Sequence, residues 1–128
     1  MVVLLDTHAL VWVWTGDKRL SRSTRDLLAS DGVVGTVSTA SIWELAIKRS
    51  IGKFELKLDL DVLVRALPEY GFTTLPVSME HALAVKQLPF HHRDPFDRML
   101  IAQARTENMH VLTADPHFKS YDVLLMST

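Results

Sequence analysis

The 128-residue chain contains no cysteine. That absence removes disulfides, zinc–thiolate centres and cysteine nucleophiles from the possible chemistries, and it fits a reducing compartment. The chain also lacks any uninterrupted apolar run of about 18 residues, the length needed to span a bilayer as a helix. Its apolar opening, Met1 to Trp14, is broken by Asp6 and His8 and has no basic lead-in, which makes it a poor signal peptide. A cytoplasmic location is the expectation. Internal repeats, low-complexity tracts and linker-like stretches are missing too, which predicts a single domain over residues 1–128. No excess of charge of one sign exists either: the formal net charge is -1, so total charge neither favours nor excludes a nucleic-acid partner. What is present is ordinary for a folded domain with a sizeable core, 48% hydrophobic and 23% charged residues, and unlike a disordered tail.

Short apolar, β-branched runs alternate with helix-like stretches along the chain. Val2-Val3-Leu4-Leu5 reads as a strand buried on both faces. Thr7 to Trp14 reads as a helix ending near Gly16, and Ser21 to Ser30 as a second, with Ser21 as its cap. Val33 to Val37 is a second strand, followed by a helix over Ser38 to Lys48. Lys53 to Leu60 alternates apolar and polar residues like a strand, but its place in the order predicts an extended loop before a helix at Asp61 to Tyr70. Phe72 to Val77 is a third strand and Ser78 to Leu88 another helix. Asp94-Pro95 opens a long helix through Thr106, since proline suits the first helical position. His110 to Thr113 makes a fourth strand, Asp115-Pro116 opens one more turn, and Val123 to Met126 makes a fifth strand. Such alternation predicts an α/β fold with a parallel, doubly wound sheet.

In open parallel sheets, ligands bind beyond the carboxyl ends of the strands, where strand order reverses. Asp6, Glu44, Asp97 and Asp115 all fall at or just after such places. Each also has a structural alternative. Asp6 ends an apolar strand and can cap the helix starting at Thr7. Glu44 follows Ser41 by three residues, a capping-box spacing. Asp94-Pro95 and Asp115-Pro116 are cap-and-proline pairs, and Asp97 then sits in a first turn, where a carboxylate suits the helix dipole. Singly, caps explain them. Together they match what a hard divalent cation wants, a few carboxylates plus water and substrate phosphate.

Four stretches carry a family likeness. Leu4-Leu5-Asp6-Thr7-His8, Ser41-Ile42-Trp43-Glu44-Leu45, the block from Arg93-Asp94-Pro95-Phe96-Asp97-Arg98 to Ile101-Ala102-Gln103-Ala104, and Leu112-Thr113-Ala114-Asp115 occur in order across nearly the whole chain. The chain thereby resembles the PIN-domain ribonucleases, and most closely the VapC-like toxins of bacterial toxin–antitoxin pairs. The resemblance implies a three-layer α/β/α fold with a five-stranded parallel sheet in order 3-2-1-4-5. It implies RNA cleavage dependent on Mg²⁺ or Mn²⁺, a cognate antitoxin as inhibitor, and a homodimer. It places Asp6, Glu44, Asp97 and Asp115 at the metal and the catalytic centre, with Asp94, Thr113 and Arg98 around them.

One or two metals can supply the activated water, the neutralised phosphate and the stabilised leaving group that phosphodiester hydrolysis needs. A histidine pair is then unnecessary. His91-His92 reads as a solvated turn, and His8 and His117 flank the acidic motifs without an assigned role. Lys18, Arg19, Arg22 and Arg25, and separately Lys48, Arg49 and Lys53, are either RNA-backbone contacts or solvated helix faces. Arg98 is the candidate to touch phosphate or orient a carboxylate. Trp12, Trp14 and Trp43 are expected in the core, with one of the Trp12/Trp14 pair free to be exposed. Two other enzyme or signalling classes fit less well. A dehalogenase-type phosphatase would want an acid where His8 stands, and a receiver domain would want an acid beside Asp6 and another after the third strand, where Val77-Ser78 offers none. A catalytically silent interaction module on the same fold stays open.

Overall fold

The strand Val2–Leu5 (β1) is the centre of the sheet because both its faces are apolar and both its edges are paired. Val3 and Leu5 enter one core cluster and Leu4 the other, as the two-residue period of a strand requires. The computed structural model describes residues 1–52, 59–121 and 124–127. Five strands form one parallel sheet: β1, β2 (Val34–Ser38), β3 (Thr73–Leu75), β4 (His110–Leu112) and β5 (Leu124–Met126), in spatial order 3-2-1-4-5. Strand order reverses between β1 and β4, so the crevice at their carboxyl ends is the switch point.

Helices cover both faces, giving three layers. On one side, α1 (Thr7–Thr15), α3 (Thr39–Ser50) and α4 (Leu60–Ala66) bury Ala9, Leu10, Leu45 and Leu63 against Val3, Leu5, Val37 and Leu112. On the other, α6 (Pro95–Glu107) and the 3₁₀ turn Pro116–Ser120 bury Leu100, Ile101 and Phe118 against Leu4 and Val111. The short α2 (Arg22–Leu28) is capped by Ser21, as expected, and α5 (Met79–Ala84) by Ser78. The glycine expected to end α1 does so: Gly16 adopts φ 69°, and its N–H reaches Trp12 O. Among the described residues, no helix is long and apolar enough to cross a membrane.

Element boundaries differ from the sequence pattern where local chemistry intervenes. The third strand stops at Leu75 rather than Val77, because Pro76 has no N–H to give a ladder. The following helix is α-helical only over Met79–Ala84 and tightens into a 3₁₀ turn at Val85–Gln87. The helix expected from Asp61 to Tyr70 starts at Leu60, capped by Asp59, and ends at Ala66. Positions 53–58 of the expected loop, and the start of the last strand at 123, lie outside the described residues. Gly35 in β2 answers to close packing: a Cβ there would overlap the Phe72 ring.

Candidate metal centre

Asp6 follows β1 directly and is only 3% exposed. Its N–H extends the β1–β4 ladder by donating to Leu112 O at 3.1 Å. The carboxylate does two things at once. Oδ1 caps α1 by accepting from Ala9 N–H at 2.7 Å, and Oδ2 accepts from Thr113 Oγ1 at 2.5 Å. Thr113 sits just past β4, and its hydroxyl also accepts from Asp115 N–H at 3.0 Å. One threonine hydroxyl thus ties the carboxylate after β1 to the backbone after β4, across the switch point. Asp115 caps the next turn through His117 N–H, 2.9 Å from Oδ1.

Glu44 reaches the crevice from the middle of α3. The Ser41–Glu44 capping box expected from spacing does not form, because the helix begins earlier, capped by Ser38 through Ala40 N–H. Glu44 is therefore released from capping, and its carboxylate turns inward, 4% exposed. Oε1 accepts from Thr7 Oγ1 at 2.7 Å, and Oε2 pairs with Lys48 Nζ at 2.6 Å, one helical turn on. Asp97 arrives from the first turn of α6. Asp94 is the cap of that helix, accepting from Phe96 and Asp97 N–H at 2.8 and 3.1 Å, as its Asp-Pro sequence predicts.

The four carboxylates feel one another. Burial, followed by the charges of Asp94, Glu44, Asp6 and Asp115, pushes Asp97 up to about 8 from an ordinary 3.8. Burial raises Asp6 as well, against the opposing hydrogen bonds of Thr113 and Ala9 and the charge of His8, while Asp115 adds to the rise. Burial also works against the charge on Asp115, but hydrogen bonds from His117 and His92 outweigh it and hold that carboxyl below its usual range. Asp6 and Asp97, whose ionisation burial and acidic neighbours suppress, belong to the kind of donor set a hard divalent cation relieves, since it prefers oxygen ligands and neutralises their repulsion. The residues present therefore fit a hard divalent cation.

Other sequence candidates land elsewhere. Arg98 does not turn to the carboxylates. It is buried, donates to Pro89, Val85 and Leu88 carbonyls at 3.0–3.4 Å, and lies over the Phe90 ring at 4.3 Å, where it clamps the loop leading into α6. Among the basic residues, Arg19 pairs with Asp17 and stacks on Trp12, Arg25 donates to Trp12 and Asp17 carbonyls, and Lys48 belongs to Glu44. Lys53 lies outside the described residues. Trp12 is buried and Trp14 partly so, but Trp43 is 63% exposed, against expectation, and meets Phe96 edge-on at 5.3 Å. The two rings line an apolar cavity of about 670 Å³ beside the crevice.

His92 is the residue that the sequence pattern missed. It is not on a solvated turn: its Nε2 lies 2.9 Å from Asp115 Oδ2 and 3.1 Å from Asp97 Oδ2. His91 is exposed and faces Tyr121 edge-on, so the two adjacent histidines do diverge. His117 stacks obliquely on His92, with ring centroids 5.0 Å apart, and its Nδ1 approaches Asp115 Oδ1 at 2.8 Å. The spacing of His92, two residues before the cap Asp94, was the available signal. It permits a local ring-to-backbone bond, but not a forecast of which carboxylates the ring would face.

A model of the family described as PIN domain matches residues 3–124. Comparison with curated proteins finds no match. Among solved structures, the chain is similar to VapBC2 from Rickettsia felis bound to a promoter DNA fragment (TM-score 0.76, 16% identity, 99% of this chain and 98% of that one). It is also similar to a toxin–antitoxin complex from Klebsiella pneumoniae (TM-score 0.66, 14% identity, 97% and 95% covered). VapC20 from Mycobacterium tuberculosis, described as a sarcin–ricin loop cleaving toxin, aligns with TM-score 0.62 and 17% identity over 95% of this chain and 96% of that one. At these identities the likeness is one of fold.

Proposed function

The chain belongs to the PIN-domain family, whose model spans residues 3–124 of it, and from this we propose that it is a metal-dependent endoribonuclease, the toxin of a toxin–antitoxin pair. What supports the reading is the charge of Glu44, Asp6 and Asp115, carried on three other segments, acting on buried Asp97 and, with burial and Asp94, driving it to about 8.

The carboxylates of Asp6, Glu44, Asp97 and Asp115 are the groups that would hold Mg²⁺ or Mn²⁺. When bound, the cation supplies an activated water, charge neutralisation at the scissile phosphate and stabilisation of the leaving oxygen. The chain's own residues prepare that chemistry. Thr113 fixes Asp6 by its short hydrogen bond, and Thr7 fixes one oxygen of Glu44. Lys48 offsets the charge of the other Glu44 oxygen. Rigid placement of this kind is what keeps a ligand set from collapsing into alternative ion pairs before substrate arrives.

RNA is the proposed substrate and a cognate antitoxin the proposed inhibitor. The structurally similar VapC20 is described as cleaving the sarcin–ricin loop, and other similar structures are toxin–antitoxin complexes. An acidic crevice invites a basic side chain from such a partner. The exposed apolar residues Trp43, Met79, Leu83 and Phe90 support pairing with a second copy, and the cytoplasm is the compartment such a protein would act in.

Expression in a bacterium without the partner tests this reading. Growth should arrest, and Asp6→Asn should relieve the arrest, because Asn retains the cap on α1 but not the charge. Equal arrest by both forms would refute the nuclease mechanism, and no arrest by a fully folded wild type would favour a silent interaction module.

A further inference from the structure

His92 stands among the acidic residues, yet nothing in the proposed mechanism uses it. Its ring is held on several sides. The backbone N–H donates to Tyr121 Oη at 2.8 Å, the ring lies edge-on to the buried Phe118, and His117 packs obliquely beside it. Nδ1 accepts from the N–H of Asp94 at 3.1 Å. That bond uses the Nδ1 lone pair, so the ring proton of the neutral imidazole resides on Nε2.

Nε2 faces two carboxylate oxygens, Asp115 Oδ2 at 2.9 Å and Asp97 Oδ2 at 3.1 Å. An unprotonated Nε2 would set its lone pair against the Asp115 carboxylate it bonds, so this side of the ring requires the same tautomer as the other. The two carboxylates come from different segments, α6 and the turn after β4, and repel one another. The Nε2–H bond to Asp115 Oδ2 sets that carboxylate at the same ring edge as Asp97 Oδ2.

We propose that His92 is a positioning residue of the metal centre: with its tautomer set by the backbone of Asp94, its Nε2–H donates to Asp115 Oδ2, with Asp97 Oδ2 3.1 Å from the same nitrogen, and holds the two carboxylates side by side for the cation. The role rests on the metal-centre reading of the acidic crevice. It differs from direct ligation, which the grouping of His92, Asp115 and His117 ligand atoms within 4.8 Å of one another would otherwise suggest. Ligation through Nε2 would move the ring proton to Nδ1, where it would meet the Asp94 N–H donor to donor. His92 therefore acts on the cation only through the carboxylates it aligns. Hydrogen-bond partners of metal ligands commonly contribute tenfold to a hundredfold in metal affinity.

Two measurements on the full chain test this together. In protein labelled with ¹⁵N at histidine, nitrogen–proton correlation spectra should give His92 the Nε2–H pattern both without metal and with saturating Mg²⁺. Calorimetric titration with Mg²⁺ should find binding about ten- to a hundredfold weaker in His92→Ala. His92→Gln should recover most of that loss, since its terminal amide N–H stands near the place of Nε2. A spectrum with Nε2 unprotonated in the metal-bound form overturns the proposal in favour of ligation. Wild-type affinity in His92→Ala, or no recovery in a folded His92→Gln, also overturns it while leaving the metal centre intact. Failure of the wild type itself to bind Mg²⁺ would instead remove the metal-centre reading, and the role of His92 with it.

Discussion

Replacing Asp97 by Asn probes the repulsion at the heart of the crevice. Burial and the charges of Asp94, Glu44, Asp6 and Asp115 raise this carboxyl from 3.8 to about 8. Between those values the metal-free folded protein keeps a proton that the unfolded chain has already released. The folded state's advantage is therefore complete below the unfolded value and is lost as pH rises through the window, by at most about 1.4 kcal/mol per pH unit for one proton. Asn carries no such proton. Wild-type stability minus variant stability, measured by urea unfolding in EDTA, should fall by roughly 2–3 kcal/mol between pH 5 and pH 7. Taking the difference cancels the histidines remote from Asp97. Mg²⁺ acts in the opposite sense, because it binds the ionised group: about one proton should be released on binding near pH 6, and affinity should rise by up to about tenfold per pH unit until pH 8. A difference curve flat with pH, together with metal binding that releases no proton, would refute the electrostatic account.

Substitutions at three further positions separate local roles. Thr113→Val removes the hydroxyl that joins Asp6 Oδ2 to Asp115 N–H, and should cost about 1–3 kcal/mol of stability and weaken Mg²⁺ binding. Unchanged denaturation and calorimetric titrations would dismiss that bridge. Asp94→Ala should lose about 0.5–2 kcal/mol as a helix cap is lost, whereas Asp94→Asn should stay close to wild type in urea unfolding. Equal losses in both would mean that charge rather than capping is what Asp94 contributes. Gly35→Ala should destabilise by about 1–3 kcal/mol through its clash with the Phe72 ring, and a neutral result in the same assay would mean that the ring moves aside.

The doubly wound sheet could be read from the sequence because its determinants are local and periodic. Val2–Leu5 is apolar at every position, as a strand covered on both faces must be, and Asp94-Pro95 announces the start of α6. The switch point then follows from strand order, which the family likeness implied and the sheet reproduces. Side-chain direction is a different matter. The Ser41–Glu44 spacing suits a cap, but Ser38, where the helix was expected to open, is the cap instead, and Glu44 points inward. Arg98 neighbours Asp97 in sequence, yet adjacent positions on a helix diverge, and it turns to the carbonyls before α6. His92 faces Asp115, 23 residues away, because Tyr121 and Phe118 fold back onto its loop. Contacts of that range have no local signature in a single sequence.

The central claim is that the Asp6, Glu44, Asp97 and Asp115 carboxylates form one cation-dependent centre that cuts RNA. It is tested most directly by incubating purified protein with end-labelled single-stranded RNA, in Mg²⁺ and in EDTA, beside an Asp6→Asn variant that melts at the same temperature. Internal cleavage by the wild type is expected in Mg²⁺, with none in EDTA and little or none by the variant. Cleavage that persists in EDTA or in Asp6→Asn, or an inert wild type supplied with either Mg²⁺ or Mn²⁺, would contradict it.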